Sequence, residues 1–225
     1  MRMMIRIPRL IRLTRSLRED PTDMSVGINA LLLAEELYQC QVDQMTQGVL
    51  CRHARHVPTM DGELVKHFPT SVGFTSFKVF EGLLRYCYCR VFVMGLCRAL
   101  IRVFPCSQIL IEADLVKEDL SSASSIVMAI QFAEKLQNPW PWGPMLTILP
   151  LQAAYGSWHR ASKDAATFGW ERGRACHMME WCRAKSNEIL GKWRGRAMQA
   201  SELDALVASW EGGPIVSWMQ RDIDL

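Results

Sequence analysis

The segment Thr75–Phe104 constrains the fold of this chain more than any other stretch, because it is long, apolar and repeatedly charged. At about 1.5 Å per residue, an α-helix of this length would cross a bilayer. An arginine near the bilayer centre, however, costs about 2.5–3.5 kcal/mol on insertion scales. The charged residues that interrupt the segment are Lys78, Glu81, Arg85, Arg90, Arg98 and Arg102. The segment is therefore predicted to be a core helix ended by Pro105, with arginines that extend from its edge towards solvent.

The same periodicity of apolar residues predicts further helices along the chain. A second helix is predicted over Met24–Leu50, with Asp23 as its N-cap residue. The remaining predicted helices are Ile7–Leu17, Ser121–Leu136, Leu146–Ser162, Asp164–Gly191 and Ala200–Trp210. Cys51–Thr75 is rich in proline and glycine and is predicted to be irregular. No stretch alternates apolar and polar residues for long, so no sheet is predicted.

These elements predict an all-α protein, an irregular helical bundle with a long central helix. Hydrophobic residues make up 49% of the chain and charged residues 22%, which are values typical of a globular domain rather than a disordered chain. The net charge of +3 is too small to attract nucleic acid or anionic lipid over the whole surface. We divide the chain into a basic N-terminal helix or arm, residues 1–20, and a helical domain, residues 21–225.

The arginine-rich start of the chain has two interpretations. Its first residues contain no uninterrupted apolar run, so they do not form a secretory signal. A basic segment with few acids is typical of a mitochondrial transit peptide. The interpretation we favour is a solvated first helix. Arginines three residues apart are spread around a helix of 3.6 residues per turn, so they form no single basic face. The side chains expected to pack on the rest of the protein are Ile5, Ile7, Leu10, Ile11, Leu13 and Leu17.

The cysteines and histidines do not form a recognisable catalytic or metal site. The eight cysteines lie mostly among apolar neighbours, which favours reduced thiols in a reducing compartment. Cys51, His53 and His56 are close in sequence but lack the paired spacing of a zinc site. On a helix, Cys87 and Cys89 point about 200° apart, and His177 and Cys182 lie about 140° out of alignment. We therefore predict no catalytic, cofactor-binding or metal-binding residue and no cofactor.

Two further clusters are interpreted as structural. The segment Gly191–Arg196 is basic around Trp193, which favours a solvated helix C-terminus over a nucleic-acid site. The segment Asn138–Pro144 alternates proline and tryptophan and is predicted to be a rigid loop. The tryptophans all lie in the second half of the chain and are expected to fill the core: Trp140, Trp142, Trp158, Trp170, Trp181, Trp193, Trp210 and Trp218.

A helical pattern of similar character extends over about residues 24–192. The stretches that show it are Ala30–Tyr38, Ser76–Arg90 and Trp181–Leu190. In this pattern of helices the chain resembles the C-terminal helical regulatory region of fungal binuclear zinc-cluster transcription factors. The DNA-binding module of that family has six closely spaced cysteines, whereas this chain has no cysteine before Cys40. The resemblance thus implies a fragment or a divergent member of the family that lacks its own DNA reader.

The resemblance implies a regulatory function for the helical domain, residues 21–225. We expect a transcription-associated regulatory protein, located in the nucleus, that acts by binding protein partners or a small effector. Direct DNA binding and membrane insertion are not expected, and homo-oligomerisation stays open. One alternative is a helical accessory protein or enzyme of a metabolic pathway, including secondary metabolism, in the cytoplasm. The other is a mitochondrial protein imported by its arginine-rich start.

Overall fold

The computed structural model describes residues 2–40, 44–135, 144–168, 172–194 and 197–215. Within these residues the chain forms eight α-helices and one antiparallel two-stranded hairpin. The elements in chain order are α1 Arg2–Glu19, α2 Met24–Gln39, α3 Gln44–His53, β1 Ala54–Pro58, β2 Thr70–Phe74, α4 Phe77–Val103, α5 Glu112–Lys135, α6 Ile148–Phe168, α7 Arg172–Arg194 and α8 Ala200–Trp210. Short 3-10 turns cover Leu64–Lys66 and Pro144–Thr147. The predicted all-α fold class is therefore confirmed.

Helix α4 is the central element of the bundle. It is 27 residues long and packs against α1, α2, α5 and α6. Between Cys87 and Leu100 its residues are buried on all sides, with only Phe92 partly exposed. A helix that is apolar all round belongs in the interior of a protein. The predicted core helix is thus confirmed, and it ends as expected just before Pro105. No described helix combines the length and the apolar character that a membrane crossing requires.

The prediction that the arginines of α4 reach solvent is wrong for two of them. Only 2% of each side chain of Arg90 and Arg98 is exposed, whereas Arg85 and Arg102 are more than half exposed. Because α4 is covered on all sides at Arg90 and Arg98, neighbouring helices bury both arginine side chains. Their charges are compensated by partly exposed carboxylates of those helices, Arg90 by Glu118 and Arg98 by Glu112 and Asp164.

The predicted helix Met24–Leu50 is divided into α2 and α3. Asp23 caps α2 as predicted, since its carboxylate accepts a hydrogen bond of 3.0 Å from the N–H of Val26. The far end differs because Arg90 donates from Nη1 to the carbonyl oxygens of Tyr38, at 2.7 Å, and Leu37, at 3.4 Å. In a continuing helix those carbonyls would accept from the next turn. A buried arginine of α4 thus donates to the carbonyls at the end of α2.

The segment predicted to be irregular contains the hairpin, so the prediction of no strand is wrong. Strands β1 and β2 pair antiparallel from Ala54 opposite Phe74 to Pro58 opposite Thr70. The burial of β1 does not alternate strictly, and β2 contains Gly73, so the strand pattern is weak in the sequence. The hairpin is held by tertiary packing, in which Phe74 contacts Phe80 of α4 and Phe132 of α5 at ring-centroid distances of 5.5 and 5.3 Å.

Helix α1 packs against α2 and α4 through a narrow apolar stripe. Ile7, Leu10 and Leu17 are buried, as predicted. Ile5 was expected to pack as well, but it is 72% exposed because it lies about 200° around the helix from Ile7. Since the helix begins at Arg2 rather than Ile7, Pro8 lies inside it instead of in its first turn.

The later helices agree with the predictions apart from their ends. Helix α8 has the predicted bounds, and its start carries a capping box between Gln199 and Glu202. Helix α5 begins at Glu112 rather than Ser121, and its first turn is acidic, which suits the helix dipole. The predicted Pro–Trp loop lies outside the described residues except for Pro144.

Candidate functional site

The candidate metal ligands of the sequence are not brought together. His53 lies with its Nδ1 atom 2.8 Å from the hydroxyl of Thr75, and His56 is paired with Val72 inside the hairpin. Cys51, at the end of α3, is exposed. Among the residues that the structure describes, no group of three or more His, Cys, Asp or Glu side chains is placed to hold a metal ion.

The cysteines are free thiols, and four of them are buried: Cys87, Cys89, Cys97 and Cys182. Burial raises the pKa of Cys87, Cys89 and Cys97 to about 12, and it also raises the pKa of Cys182. A buried thiol with a raised pKa stays protonated at neutral pH and is not an active nucleophile. These cysteines therefore act as small hydrophobic residues of the core, as predicted.

His177 does not pair with Cys182. Its ring instead packs on that of His67 at a centroid distance of 4.6 Å, and its Nε2 atom lies 3.8 Å from the carboxylate of Glu63. His67 and Glu63 belong to the loop between the two strands. The sequence did not reveal this contact, because the loop and α7 are more than a hundred residues apart.

The described tryptophans contribute to the core. Trp158 and Trp181 are 4% and 9% exposed, and Trp210 packs edge-on against Phe92 at a centroid distance of 4.7 Å. This agrees with the predicted core-filling role. The side chains that lie outside the described part of the chain are Trp140, Trp142, Trp170, Trp193 and Trp218, and the side chains of the basic cluster from 193 to 196 also lie outside it.

A cavity of about 1090 Å³ lies between α1, α4 and the start of α6. Small-molecule sites in proteins usually enclose about 300–1,000 Å³. Most of its wall is apolar or sulfur-bearing. The lining side chains of that kind are Met3, Met4, Cys40, Leu84, Cys89, Met145, Leu146, Leu149 and Pro150. We call this space the methionine cavity.

Two features give the methionine cavity adaptable walls. Methionine side chains are unbranched and polarisable, so they adjust to apolar ligands of different shape. The hydroxyl of Tyr88 donates to the sulfur of Met4 at 3.7 Å, which is a weak contact that a better acceptor could replace. Burial raises the pKa of Tyr88, so its hydroxyl keeps its proton and remains a donor at neutral pH.

Gly82 and Arg85 are exposed residues of α4 that line the cavity together with Glu81, and we call this part of its wall the mouth. A Cβ atom built on Gly82 would meet no heavy atom within 4 Å, so the space in front of this residue is free. Glu81 and Arg85 face each other one helical turn apart, with a distance of 2.6 Å between their charged atoms. Arg85 is 58% exposed and Glu81 28%, so both charges border the apolar space rather than lie inside it.

No pattern of residues in the sequence predicts the methionine cavity. Its walls come from the first turn of α1, the first half of α4 and the turn before α6, which are separated by some sixty residues or more in the chain. The single local signal is Gly82, a helix-weakening residue in the middle of a strongly helical stretch. The arrangement can bind an apolar molecule and orient it by one hydroxyl and one ion pair.

A second cavity of about 440 Å³ lies between α6, α8 and the end of α4 and is lined mainly by charged residues. The hydroxyl of Tyr155 donates to Asp204 at 2.7 Å, and His159 lies 3.5 Å from the same carboxylate oxygen. Burial raises the pKa of Tyr155 and lowers the pKa of His159. At neutral pH the phenol thus keeps its proton for Asp204, which favours a structural link between α6 and α8 over proton transfer.

Comparisons of the chain with protein-family models, with curated proteins and with solved structures gave no match.

Proposed function

We propose that this protein is a helical regulatory module of the fungal transcription-factor type, and that it binds an apolar small-molecule effector in the methionine cavity. The observation that carries the proposal is the cavity itself. It is at least as large as typical small-molecule sites, it is walled by methionine and leucine side chains, and Gly82 leaves its mouth free.

The resemblance described above supports the regulatory part of the proposal. Its best stretch, Ser76–Arg90, forms the first half of α4, and this is the half that lines the methionine cavity. The same helix continues into the buried centre of the bundle. A ligand against Leu84 and Tyr88 therefore contacts the element on which α1, α2, α5 and α6 pack. Differential binding at such a place can shift the conformation of the bundle.

The proposed effector is an apolar organic molecule with at most one polar end. Most of the wall is apolar, and its hydrogen-bonding side chains are Glu81, Arg85, Tyr86 and Tyr88, so a strongly polar ligand would lose much of its hydration without compensation. The polar end would lie at the mouth, near the hydroxyl of Tyr88 and the ion pair of Glu81 and Arg85. In this proposal the protein acts in the nucleus through protein partners, and DNA contact is left to those partners.

A reporter assay in a fungal nucleus tests the regulatory function. The full chain is fused to an unrelated DNA-binding module, and transcription of a reporter gene is compared with that from the module alone. We expect the fusion to change the reporter signal at least about fivefold, a change typical of regulatory coupling. A signal equal to that of the module alone contradicts the regulatory function.

Two matched variants test whether the methionine cavity takes part. Gly82→Phe adds a ring at the mouth of the cavity, whereas Gly191→Phe makes the same change on α7, where a Cβ atom also meets nothing within 4 Å. We expect Gly82→Phe to abolish the response of the reporter and Gly191→Phe to leave it unchanged. Equal responses from the two variants would contradict an effector role of the cavity.

A further inference from the structure

A smaller cavity of about 260 Å³ lies between α5, α6 and α7, away from the methionine cavity. Its wall is mainly apolar and includes Leu120, Ala161 and Ala175. Its polar lining consists of Lys117, Ser121 and Ser124 of α5, Trp158 of α6 and Arg174 of α7. All five side chains carry an N–H or O–H donor, and two of them are cations. No carboxylate is among the described residues that line this cavity. We call this space the donor cavity.

Two of these donors are buried without an acceptor. Trp158 is only 4% exposed, and among the described residues its indole N–H has no hydrogen-bond partner. The Nε atom of Arg174 is also buried and unpaired within the described part of the chain. Buried N–H groups in proteins are nearly always satisfied, so an unpaired donor beside a cavity indicates an acceptor from outside the chain.

Arg174 is held in place by contacts that leave this Nε atom unused. Its Nη2 atom donates to the carbonyl oxygen of His67 at 3.3 Å. Its guanidinium group lies over the ring of Phe68, 5.2 Å from the ring centre. The loop between the two strands thus fixes the position of the arginine, and no salt bridge joins it to an acidic side chain of the described residues. A guanidinium fixed in this way is prepared to bind an anion.

We propose that the donor cavity binds a phosphate group, either as inorganic phosphate or as a small phosphate monoester. Phosphate brings a charge of about −1.5 to −2 near neutral pH and three or more acceptor oxygens. That charge matches Lys117 and Arg174, and the oxygens match the hydroxyls of Ser121 and Ser124 and the indole N–H of Trp158. A single carboxylate offers one negative charge and fewer acceptor positions, so it would leave part of this donor set unpaired.

Calorimetric titrations of the full-length protein, at pH 7.5 and constant ionic strength, test the proposal. The probes are inorganic phosphate, glycerol 3-phosphate and succinate. We expect saturable binding of at least one phosphate, and binding of succinate at least about tenfold weaker. Tighter binding of glycerol 3-phosphate than of inorganic phosphate would identify the monoester as the ligand class, and the reverse order would identify the free ion. No saturable binding of either phosphate at millimolar concentration, or equal binding of succinate, overturns the proposal.

Matched variants on α5 connect binding to the cavity. Lys117 and Lys135 are both exposed lysines of this helix, but only Lys117 lines the donor cavity. We expect Lys117→Gln to weaken phosphate binding at least about tenfold, and Lys135→Gln to leave it unchanged. Equal affinities of the two variants would mean that the anion binds elsewhere, and would contradict the site.

The indole N–H of Trp158 gives a direct spectroscopic readout. Its signal in a ¹⁵N-correlated NMR spectrum is assigned by its loss in Trp158→Phe, a change that keeps an aromatic ring in the core. We expect this signal to move as phosphate is added, with the same midpoint as the calorimetric titration. A signal that does not move while phosphate binds would contradict the proposed role of Trp158 and with it the site.

Discussion

Arg90 ends helix α2 from 52 residues away in the sequence. Its guanidinium donates to two carbonyls of the last turn, lies 5.6 Å from the ring centre of Tyr38 and contacts Glu118 of α5. A cation at a helix C-terminus also suits the helix dipole. One buried side chain of α4 therefore connects three helices. Its positive charge strengthens the contacts with the carbonyls of α2 and with the carboxylate of α5.

Replacement of Arg90 by methionine tests this role at the residue scale. Methionine keeps much of the side-chain volume but cannot donate to the carbonyls of Leu37 and Tyr38. We expect the free energy of unfolding to fall by about 2 kcal/mol, which is typical of hydrogen bonds to a charged group. In urea denaturation the midpoint would fall by about 1 M at an ordinary slope.

The control for Arg90→Met is Arg85→Met on the same helix. Arg85 is 58% exposed, and its ion pair with Glu81 is screened by water. Its replacement should cost less than about 0.5 kcal/mol. If both variants lose the same stability, Arg90 is not the connecting residue described here.

Asp61 fixes the loop between the two strands. Burial acts to raise the pKa of its carboxyl group, but hydrogen bonds from the N–H groups of Leu64 and Glu63 and from the indole of Trp181 outweigh burial, so the pKa is lower than usual. Because the pKa is lower in the folded than in the unfolded chain, the ionised carboxylate stabilises the fold above about pH 4. This contribution is lost as the pH falls through the folded-state pKa.

The variant Asp61→Asn should therefore be less stable than the original protein at pH 7, by about 1–2 kcal/mol. At pH 3 the difference should be smaller, because the contribution of the ionised carboxylate starts to fall below the unfolded-state pKa of about 4 and is lost fully only below the lower folded-state pKa. Urea denaturation of both proteins at the two pH values measures it. A difference in stability that is the same at pH 7 and pH 3 contradicts the ionised state of Asp61 as its source.

At the scale of elements, α4 serves as the core around which the other helices pack. Arg160 of α6 packs closely against α4 because Gly95 lies where it passes. A Cβ atom on Gly95 would lie 2.9 Å from Nη1 of Arg160. Gly156 of α6 makes room for α8, since a Cβ atom there would lie 2.9 Å from Val207. The guanidinium of Arg160 binds both carboxylate oxygens of Asp119 at 2.9 Å, which ties α6 to α5. Such bidentate pairs are among the strongest hydrogen-bonded contacts.

Leu84→Asp should unfold the protein, whereas Arg102→Ala should not. Leu84 is 2% exposed, and an unpaired carboxylate at its position would be costly enough to exceed much of the stability of an ordinary domain. Arg102 is 55% exposed, so the loss of its contacts with Glu112 and Asp164 should cost less than about 1 kcal/mol. Thermal melts followed by circular dichroism measure both effects. An unchanged melt of Leu84→Asp would mean that α4 is not the core of the bundle.

At the scale of the whole molecule, periodicity predicted the helices well and their tertiary contacts poorly. The stripe of Phe80, Leu84 and Cys87 was sufficient to predict α4, because a helix repeats its buried face at a fixed spacing. The break after Gln39 was not predictable, since its cause is Arg90 on another helix. The hairpin was missed for a related reason: Phe74 holds it against α4 and α5, and no local alternation marks it.

Local sequence patterns could not predict the candidate site either. The methionine cavity is formed where α1, α4 and the start of α6 fail to fill the space between them. Such a space depends on the packing of three distant segments, and no motif in any of them encodes it. Only Gly82 gives a hint, because a glycine in the middle of a strong helix usually has a packing or functional reason.

The methionine cavity is the central feature of the proposed function, and binding of a neutral apolar probe tests it directly. The fluorescence of N-phenyl-1-naphthylamine increases in apolar surroundings, so its titration into the folded protein measures occupancy. We predict saturable binding of one probe per chain, weakened at least about tenfold by Gly82→Phe and unchanged by Gly191→Phe. No saturable binding, or equal affinity in the original protein and Gly82→Phe, would contradict the account.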